Sequence, residues 1–228
     1  MKNVFAFCLL CALLLAIPAV ADVTVGLPPD PGGGNCFPWG CSYNAEYQQV
    51  YSHTQFSGPI TITNLEFFNT QVNNNNLLMN SGTWNISLST SSADWNTIST
   101  TYASNLGADN TLVFSGNLTQ PWAFGDTLHI TLTTPFTYDP SKGNLLLDVV
   151  GSGITAPGGS IFFDINGSNS YMSRVFCFSG IACTDGAIST GYGLVTEFST
   201  GTPEPGSLAL LGTGIVGVMG AVRRRLHM

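Results

Sequence analysis

The sequence predicts an all-β fold, a single antiparallel β-sandwich of the jelly-roll kind, in the middle of the chain. From residue 60 onward, short segments of alternating apolar and polar residues recur, and clusters of Asn, Gly, Pro and Asp separate them. No long stretch of this region repeats its apolar residues at the 3.6-residue period of an amphipathic helix. Uncharged apolar runs lie near both ends of the chain, so the sandwich is the part between them.

The predicted strands share an alternation of inward and outward side chains. They lie at 60–68, 84–89, 112–114, 128–133, 145–150, 161–165, 171–176 and 192–198. The inward phase predicts a core of Ile60, Ile62, Trp84, Ile86, Leu88, Leu128, Ile130, Leu132, Leu145 and Leu147. Residues 145–150 are almost continuously apolar, which favours a central strand.

The domain limits follow from composition. Residues 22–58 are rich in Pro and Gly and predict an arm with a first loop or strand. Residues 59–200 contain the strand signals and predict the β-sandwich domain. We see no internal repeat and no second domain in this region.

The first 21 residues have the parts of a secretory signal peptide. Lys2 supplies a positive start, residues 4–17 an apolar stretch, and Ala19 and Ala21 the small residues of a cleavage site before Asp22. We therefore predict export through the Sec machinery and removal of residues 1–21. An uncleaved N-terminal anchor is the alternative.

The cysteines beyond this cleavage site form two local pairs, Cys36 with Cys41 and Cys177 with Cys183. In an oxidising compartment we expect two disulfides, although four cysteines allow three connectivities. A zinc site is the alternative, but neither pair has the CxxC spacing and no histidine is close in sequence.

The predicted exported part is acidic. Lys142 and Arg174 are its only basic residues, against twelve Asp and Glu between residues 22 and 202. Such a surface repels phosphate backbones, so we expect no nucleic-acid partner. Asn, Ser and Thr must supply the polar surface, and this composition is common in secreted β-proteins with or without a polysaccharide ligand.

The last segment, 203–228, has three parts. Residues 203–205 read Pro-Glu-Pro and discourage a helix. Residues 207–222 carry no charge, and as a helix they would be about 24 Å long, a short membrane span. Residues 223–225 are all arginine and would stay on the cytoplasmic side. A buried core helix is the alternative, which the many glycines in the run disfavour.

This tail closely resembles the PEP-CTERM sorting signal of exported bacterial proteins. The matching residues are Pro203, Glu204, Pro205, Arg223, Arg224 and Arg225. The resemblance implies recognition by an exosortase, a membrane transpeptidase that cuts near the tripeptide. It also implies a final location in the periplasm, at the cell surface or in the extracellular matrix. Similar tails are known as an ice-binding protein C-terminal domain, a label that describes the tail and does not imply ice binding.

A second, shorter resemblance to known proteins lies within the predicted β-sandwich domain. Residues 135–148 are similar to a segment of β-sandwich proteins that bear this tail, where it joins two strands through a tight turn. This likeness bears on the fold and implies no activity.

Motifs for catalysis are missing from the sequence. His53 and His129 are the only histidines between the two ends, and neither GxSxG nor HExxH occurs. We therefore predict a non-enzymatic protein without a cofactor, with contact to exopolysaccharide as the first hypothesis. A carbohydrate-active enzyme that uses two carboxylates is the alternative, and Glu46, Glu66 and Glu197 are the glutamates between the two ends, but no pattern selects a pair. A purely structural or interaction protein is the third hypothesis.

Three tryptophans in turn-rich segments are candidates for stacking on sugar rings. Trp95 is the best of them, because Asp94 and Asn96 beside it can bond to sugar hydroxyls. Trp39 and Trp122 are weaker candidates, and burial at the ends of the sandwich is the alternative for all three.

One segment has the oxygen ligands that calcium prefers. Asp164, Asn166 and Ser168 alternate along it, although the glutamate of an EF-hand is missing. A hairpin turn at Asn166 and Gly167 is the favoured alternative.

Overall fold

The computed structural model describes residues 21–26, 33–41, 46–69, 77–157, 161–177 and 183–200, and this part of the chain is all-β. The strands are β1 (Val23–Val25), β2 (Gly34–Asn35), β3 (Glu46–Tyr51), β4 (Ile60–Phe68), β5 (Leu77–Leu78), β6 (Ser81–Ser91), β7 (Thr111–Gly116), β8 (Pro121–Trp122), β9 (Thr127–Tyr138), β10 (Asn144–Thr155), β11 (Phe163–Gly167), β12 (Met172–Phe176), β13 (Ala187–Ser189), β14 (Tyr192–Leu194) and β15 (Thr196–Thr200). Short 3₁₀ helices span His53–Gln55, Tyr102–Asn105 and Pro140–Lys142. The predicted all-β class is confirmed. The predicted signal peptide and C-terminal helix lie outside the described residues, apart from Ala21.

Two antiparallel sheets contain most of the strands. The four-stranded sheet has the order β1-β15-β4-β9, and the six-stranded sheet has the order β13-β12-β3-β10-β6-β7. Two small sheets, β14-β11-β2 and β5-β8, complete the pairing among the described strands. Most neighbours in a sheet are far apart in sequence, so the sheets form only when distant segments meet.

The two main sheets bury one apolar core between them. The ring centroids of Tyr51 and Phe198, from opposite sheets, are 5.0 Å apart and meet edge to face. Every residue of the predicted core is buried in this cluster. The inward phase of the strands was therefore predicted correctly, because alternation along a strand fixes which side chains face the opposite sheet.

Strand β10 is central, as its continuous apolar run predicts. Residues 145–150 pair with β3 on one side and with β6 on the other. Leu145, Leu146 and Leu147 are fully buried although they alternate in direction. Leu145 and Leu147 face the main core, and Leu146 faces a second apolar cluster on the other side of the sheet.

The turn before β10 also forms as expected. β9 ends at Tyr138, the 3₁₀ helix Pro140–Lys142 follows, and β10 begins at Asn144. The Tyr138 hydroxyl donates a hydrogen bond of 2.8 Å to the carbonyl of Gly143. Gly143 has φ = 152°, and a Cβ there would lie 2.7 Å from the carbonyl oxygen of Ser91, so this position requires glycine.

The segment expected to be an arm takes part in the fold. Val23–Val25 is an edge strand that pairs with β15, and Glu46–Tyr51 lies inside the six-stranded sheet. Trp39, between the cysteines of the first local pair, is fully buried against Phe67 and Phe163. Tertiary contacts therefore order parts of a segment whose Pro and Gly content predicts little regular structure.

A long connection between β6 and β7 covers the outer face of the six-stranded sheet. Ile98 and Tyr102 from this connection pack on Val50, Leu146 and Val175 of the sheet. Such a cover explains why β10 has apolar side chains on both faces.

Candidate functional site

Trp95 lies at the tip of a tight turn that hydrogen bonds hold in place. The backbone N–H of Thr97 donates to the carbonyl of Asp94 at 3.0 Å, and the Asp94 N–H donates to Thr97 Oγ1 at 3.0 Å. The Trp95 N–H donates to Asp94 Oδ1 at 2.7 Å. The Ser173 hydroxyl, from β12, donates to the carbonyl of Trp95 and ties the turn to the sheet. The indole is therefore presented on a fixed backbone.

The exposure of the four tryptophans separates Trp95 from the others. Trp39, Trp84 and Trp122 are fully buried, whereas Trp95 is half-buried beside the exposed Asn96. Trp122 also donates its indole N–H to the carbonyl of Phe162 at 2.8 Å. Trp39 and Trp122 are thus core residues, as the alternative interpretation held, and only Trp95 can reach a surface ligand.

The three residues of the candidate calcium site differ in their exposure to solvent. Asp164 is fully buried, Asn166 is half-buried and Ser168 is exposed with φ = 55°. The Tyr171 hydroxyl donates to Asn166 Oδ1, so this oxygen already has a partner. Within the described residues, no group of three or more His, Cys, Asp or Glu is placed to hold a metal ion.

The favoured alternative for this segment, a hairpin turn at Asn166 and Gly167, is wrong. Both residues belong to β11, where they pair with Gly193 and Tyr192 of β14. The pairing continues the strand through the Asn-Gly dipeptide, and the chain turns only after it. Calcium binding, the less favoured interpretation of this segment, is left for experiment, and an unchanged melting temperature in millimolar calcium would contradict it.

Glu66 and Glu197 meet across the four-stranded sheet. They are directly opposite each other on β4 and β15, and Thr24 and His129 extend the row on either side. Thr24 Oγ1 donates to Glu197 Oε2 at 2.9 Å, and His129 Nδ1 lies 3.2 Å from Glu66 Oε1. Directly opposite side chains have Cβ atoms about 5 Å apart. This is the carboxylate proximity that the enzyme alternative needs, on an open sheet face.

A second carboxyl pair escaped the sequence analysis. Asp148 is opposite Gln48 and Val150 is opposite Glu46, so Glu46 and Asp148 are diagonal neighbours on the covered face of the six-stranded sheet. Burial raises the pKa of Asp148 to about 6. Burial, and then the charge of Asp148, raises the pKa of Glu46 to about 7. A carboxyl within an apolar strand, LLLDVV, is the signal that marks Asp148 in the sequence.

Arg174 is the buried cation of the body. Its guanidinium lies between two rings, with Cζ 4.4 Å from the Phe176 centroid and 4.3 Å from the Tyr192 centroid. Nε and Nη1 have no hydrogen-bond partner among the described residues. Ring faces therefore stabilise this charge in the core, and it is not presented to an external anion.

Both local cysteine pairs are disulfides. Cys36 is bonded to Cys41, and Cys177 is bonded to Cys183. The predicted connectivity is confirmed. The first bridge closes the loop that carries Trp39, and the second joins the cluster on the covered face of the six-stranded sheet.

The described residues thus define an all-β, disulfide-linked body. Within them no helix has both the length and the hydropathy needed to cross a membrane. The chain has no significant similarity to a curated protein or to a solved structure.

Residues 202–225 match the PEP-CTERM protein-sorting motif. The predicted sorting signal is confirmed, and the chain carries the address of an exosortase-targeted protein that is exported to the cell surface or beyond. The match covers the tripeptide, the apolar run and the arginines, all of which lie outside the described residues.

Proposed function

We propose that this protein is a non-enzymatic component of the bacterial surface or extracellular matrix, and that its jelly-roll-like β-sandwich contacts exopolysaccharide. The Trp95 turn is the contact site. Exosortase processing at the Pro-Glu-Pro segment, after Sec export and removal of residues 1–21, delivers the body to that location.

The observation that carries this proposal is the half-buried Trp95 on a turn whose backbone is held by hydrogen bonds. An aromatic ring whose backbone is already ordered loses little conformational entropy when it stacks on a flat ligand. Sugar rings offer such flat faces, and Asp94 and Asn96 can bond to their hydroxyls. The scarcity of Lys and Arg favours an uncharged, hydroxyl-rich glycan over a polyanion.

A glycan array probed with the mature protein, isolated after processing, tests the contact between Trp95 and exopolysaccharide. We expect Trp95→Ala to weaken glycan binding by about tenfold or more, as is usual for a central aromatic anchor. Phe124→Ala is the matched control, because Phe124 is 58% exposed in a different turn. Equal binding by wild type and Trp95→Ala would contradict the site. Failure of the wild type to bind any glycan would favour the purely structural hypothesis.

Fractionation of tagged protein tests the sorting. We expect Glu204→Ala, or deletion of Arg223–Arg225, to leave the tail unprocessed or the protein misplaced. Lys142→Ala is the control, because Lys142 is an exposed basic residue of the body. Identical processing of all variants would count against exosortase recognition.

One observation favours the alternative of a carbohydrate-active enzyme: Glu66 and Glu197 lie directly opposite each other on β4 and β15. If the protein is an enzyme, it should release reducing sugar from the polysaccharide of the bacterium that makes it, and Glu66→Gln or Glu197→Gln should abolish that release. We expect no release by the wild type.

A further inference from the structure

The first and last strands of the body are neighbours. β1 and β15 pair antiparallel with Val23 opposite Phe198, Thr24 opposite Glu197 and Val25 opposite Thr196. The start of β1 therefore lies beside the end of β15. The chain enters and leaves the body at the same edge of the four-stranded sheet.

Asp22 joins these two ends directly. Its Oδ1 accepts a hydrogen bond from the backbone N–H of Thr200 at 2.8 Å and a weaker one from the Thr200 hydroxyl at 3.4 Å. The Thr63 hydroxyl donates to the carbonyl of Ser199 at 3.2 Å. Ser199 and Thr200 are only 8% exposed, so the end of β15 is fastened into the sheet.

Both partners of this contact border a processing site. Asp22 is the first residue after the predicted signal-peptide cleavage site, and Pro203 follows Thr200 by three residues. Three residues span at most about 10 Å of extended chain. A sheet-bound Thr200 therefore leaves very little free backbone on the N-terminal side of the Pro-Glu-Pro segment.

We propose that Asp22 is a clasp that restrains exosortase processing by holding the end of β15 in the sheet. This proposal rests on the proposed exosortase processing and adds its regulation. When the Asp22–Thr200 contact opens, the end of β15 becomes free to extend into the enzyme. The rate of tail removal then follows the population of the open strand end.

The chemistry explains why free backbone matters. Transpeptidation breaks one backbone amide near the tripeptide, and the departing tail keeps the amine. The acyl carbon passes to an amine acceptor, or to water, so one C–N bond breaks and one C–N or C–O bond forms. An enzyme must hold an extended stretch of chain on both sides of that carbon, and residues paired in a sheet cannot supply it.

The experiment follows tail removal over time in cells that express the full-length precursor with an internal tag. We expect Asp22→Ala to speed tail removal by about threefold to tenfold, because a hydrogen bond to a charged group is lost. Asp126→Ala is the matched control. Asp126 Oδ2 also accepts a backbone N–H, from Ala123 at 2.6 Å, but in a turn away from the chain ends.

A second variant leaves the signal-peptide region unchanged. Insertion of Gly-Ser-Gly-Ser between Gly201 and Thr202 supplies free backbone while the clasp stays closed. We expect the insertion to speed tail removal like Asp22→Ala, and the combined variant to be no faster than either alone. Mass spectrometry of the N-terminus checks that signal-peptide removal is equal in all variants.

The outcomes separate this proposal from the proposed function. If the insertion and Asp22→Ala leave the rate unchanged or lower it, the clasp is overturned although processing occurs. If Asp22→Ala slows signal-peptide removal, the rate of tail removal is compared only among molecules that mass spectrometry shows to have lost residues 1–21. If the wild type and Glu204→Ala both keep their tails, exosortase processing itself is refuted, and the clasp with it.

Discussion

At the scale of single residues, Asp148 places a carboxyl group in the buried central strand β10. Its carboxyl lies between apolar neighbours on the central strand and is only 7% exposed, with Oδ1 lacking a hydrogen-bond partner among the described residues. Gln48 provides a hydrogen bond that favours the charged form, but burial outweighs it and raises the pKa to about 6. A group of this kind makes folding stability depend on pH.

The sign of that dependence follows from the direction of the shift. A carboxyl with a higher pKa in the folded state stabilises the fold below its unfolded pKa, near 3.8, and this contribution is lost as the pH rises to about 6. We expect Asp148→Asn to gain about 2 to 3 kcal/mol in unfolding free energy relative to wild type between pH 4 and pH 7. Urea denaturation at several pH values measures this difference.

Asp139→Asn serves as the control with the opposite sign. Hydrogen bonds from Ser141, and then the charge of Lys142, lower the pKa of Asp139. Its contribution to stability is therefore present at neutral pH and lost as the pH falls. A pH-independent difference between wild type and Asp148→Asn would contradict the assignment of a raised pKa.

At the scale of elements, the connection between β6 and β7 depends on one buried amide. Asn105 is 1% exposed, and its Nδ2 donates to Gln48 Oε1 at 3.0 Å and to the carbonyl of Ser99 at 2.9 Å. Its Oδ1 accepts the Ser99 N–H at 2.8 Å. These bonds close the connection on itself and fasten it to β3, close to the Trp95 turn in sequence.

We expect Asn105→Ala to lower the unfolding free energy by about 2 to 3 kcal/mol, because the buried Gln48 side chain and two backbone groups of the half-buried Ser99 lose their partner. Chemical denaturation measures the loss. Asn117→Ala is the control, since Asn117 is exposed and bonds within its own turn to Thr119. Its effect should stay within about 0.5 kcal/mol. Equal effects of the two changes would show that Asn105 does not hold the connection.

At the scale of the whole molecule, residues 22–201 form one compact unit. The two main sheets share one core, and β1 at the start of the unit pairs with β15 at its end. β4 and β9 pair directly, but β1 joins the four-stranded sheet only through β15, the last strand of the chain to be made. Such a body should fold cooperatively, because neither sheet can bury its apolar face alone.

We expect residues 22–201, expressed without the two ends and with both disulfides formed, to unfold in a single transition. Tryptophan fluorescence and far-UV circular dichroism should give the same midpoint. Removal of residues 22–26 should lower that midpoint, since β15 then becomes the edge strand. Two separate transitions would contradict a single cooperative core.

The features of the body that depend on a local sequence pattern could be predicted from the sequence. Alternation along Trp84, Ile86 and Leu88 is enough to assign one inward face, and local spacing was enough to pair Cys36 with Cys41. The prediction of a turn at Asn166-Gly167 was wrong because the dipeptide is a strong local turn signal, whereas strand pairing with β14 keeps both residues extended. The exposure of Trp95 against the burial of Trp39 could not be predicted, since both lie in turn-rich segments.

The sequence alone determined the address of this protein, its all-β class and its inward-facing residues. These properties depend on the order of residues within short segments. Export enzymes recognise such a segment directly, and the geometry of a strand makes alternate residues of such a segment face the same side. The tertiary structure alone decided which carboxyls meet, which tryptophan stays at the surface and that Asp22 reaches Thr200. Those contacts join residues far apart in the chain, and the strand order of the sheets, which no local pattern encodes, brings them together.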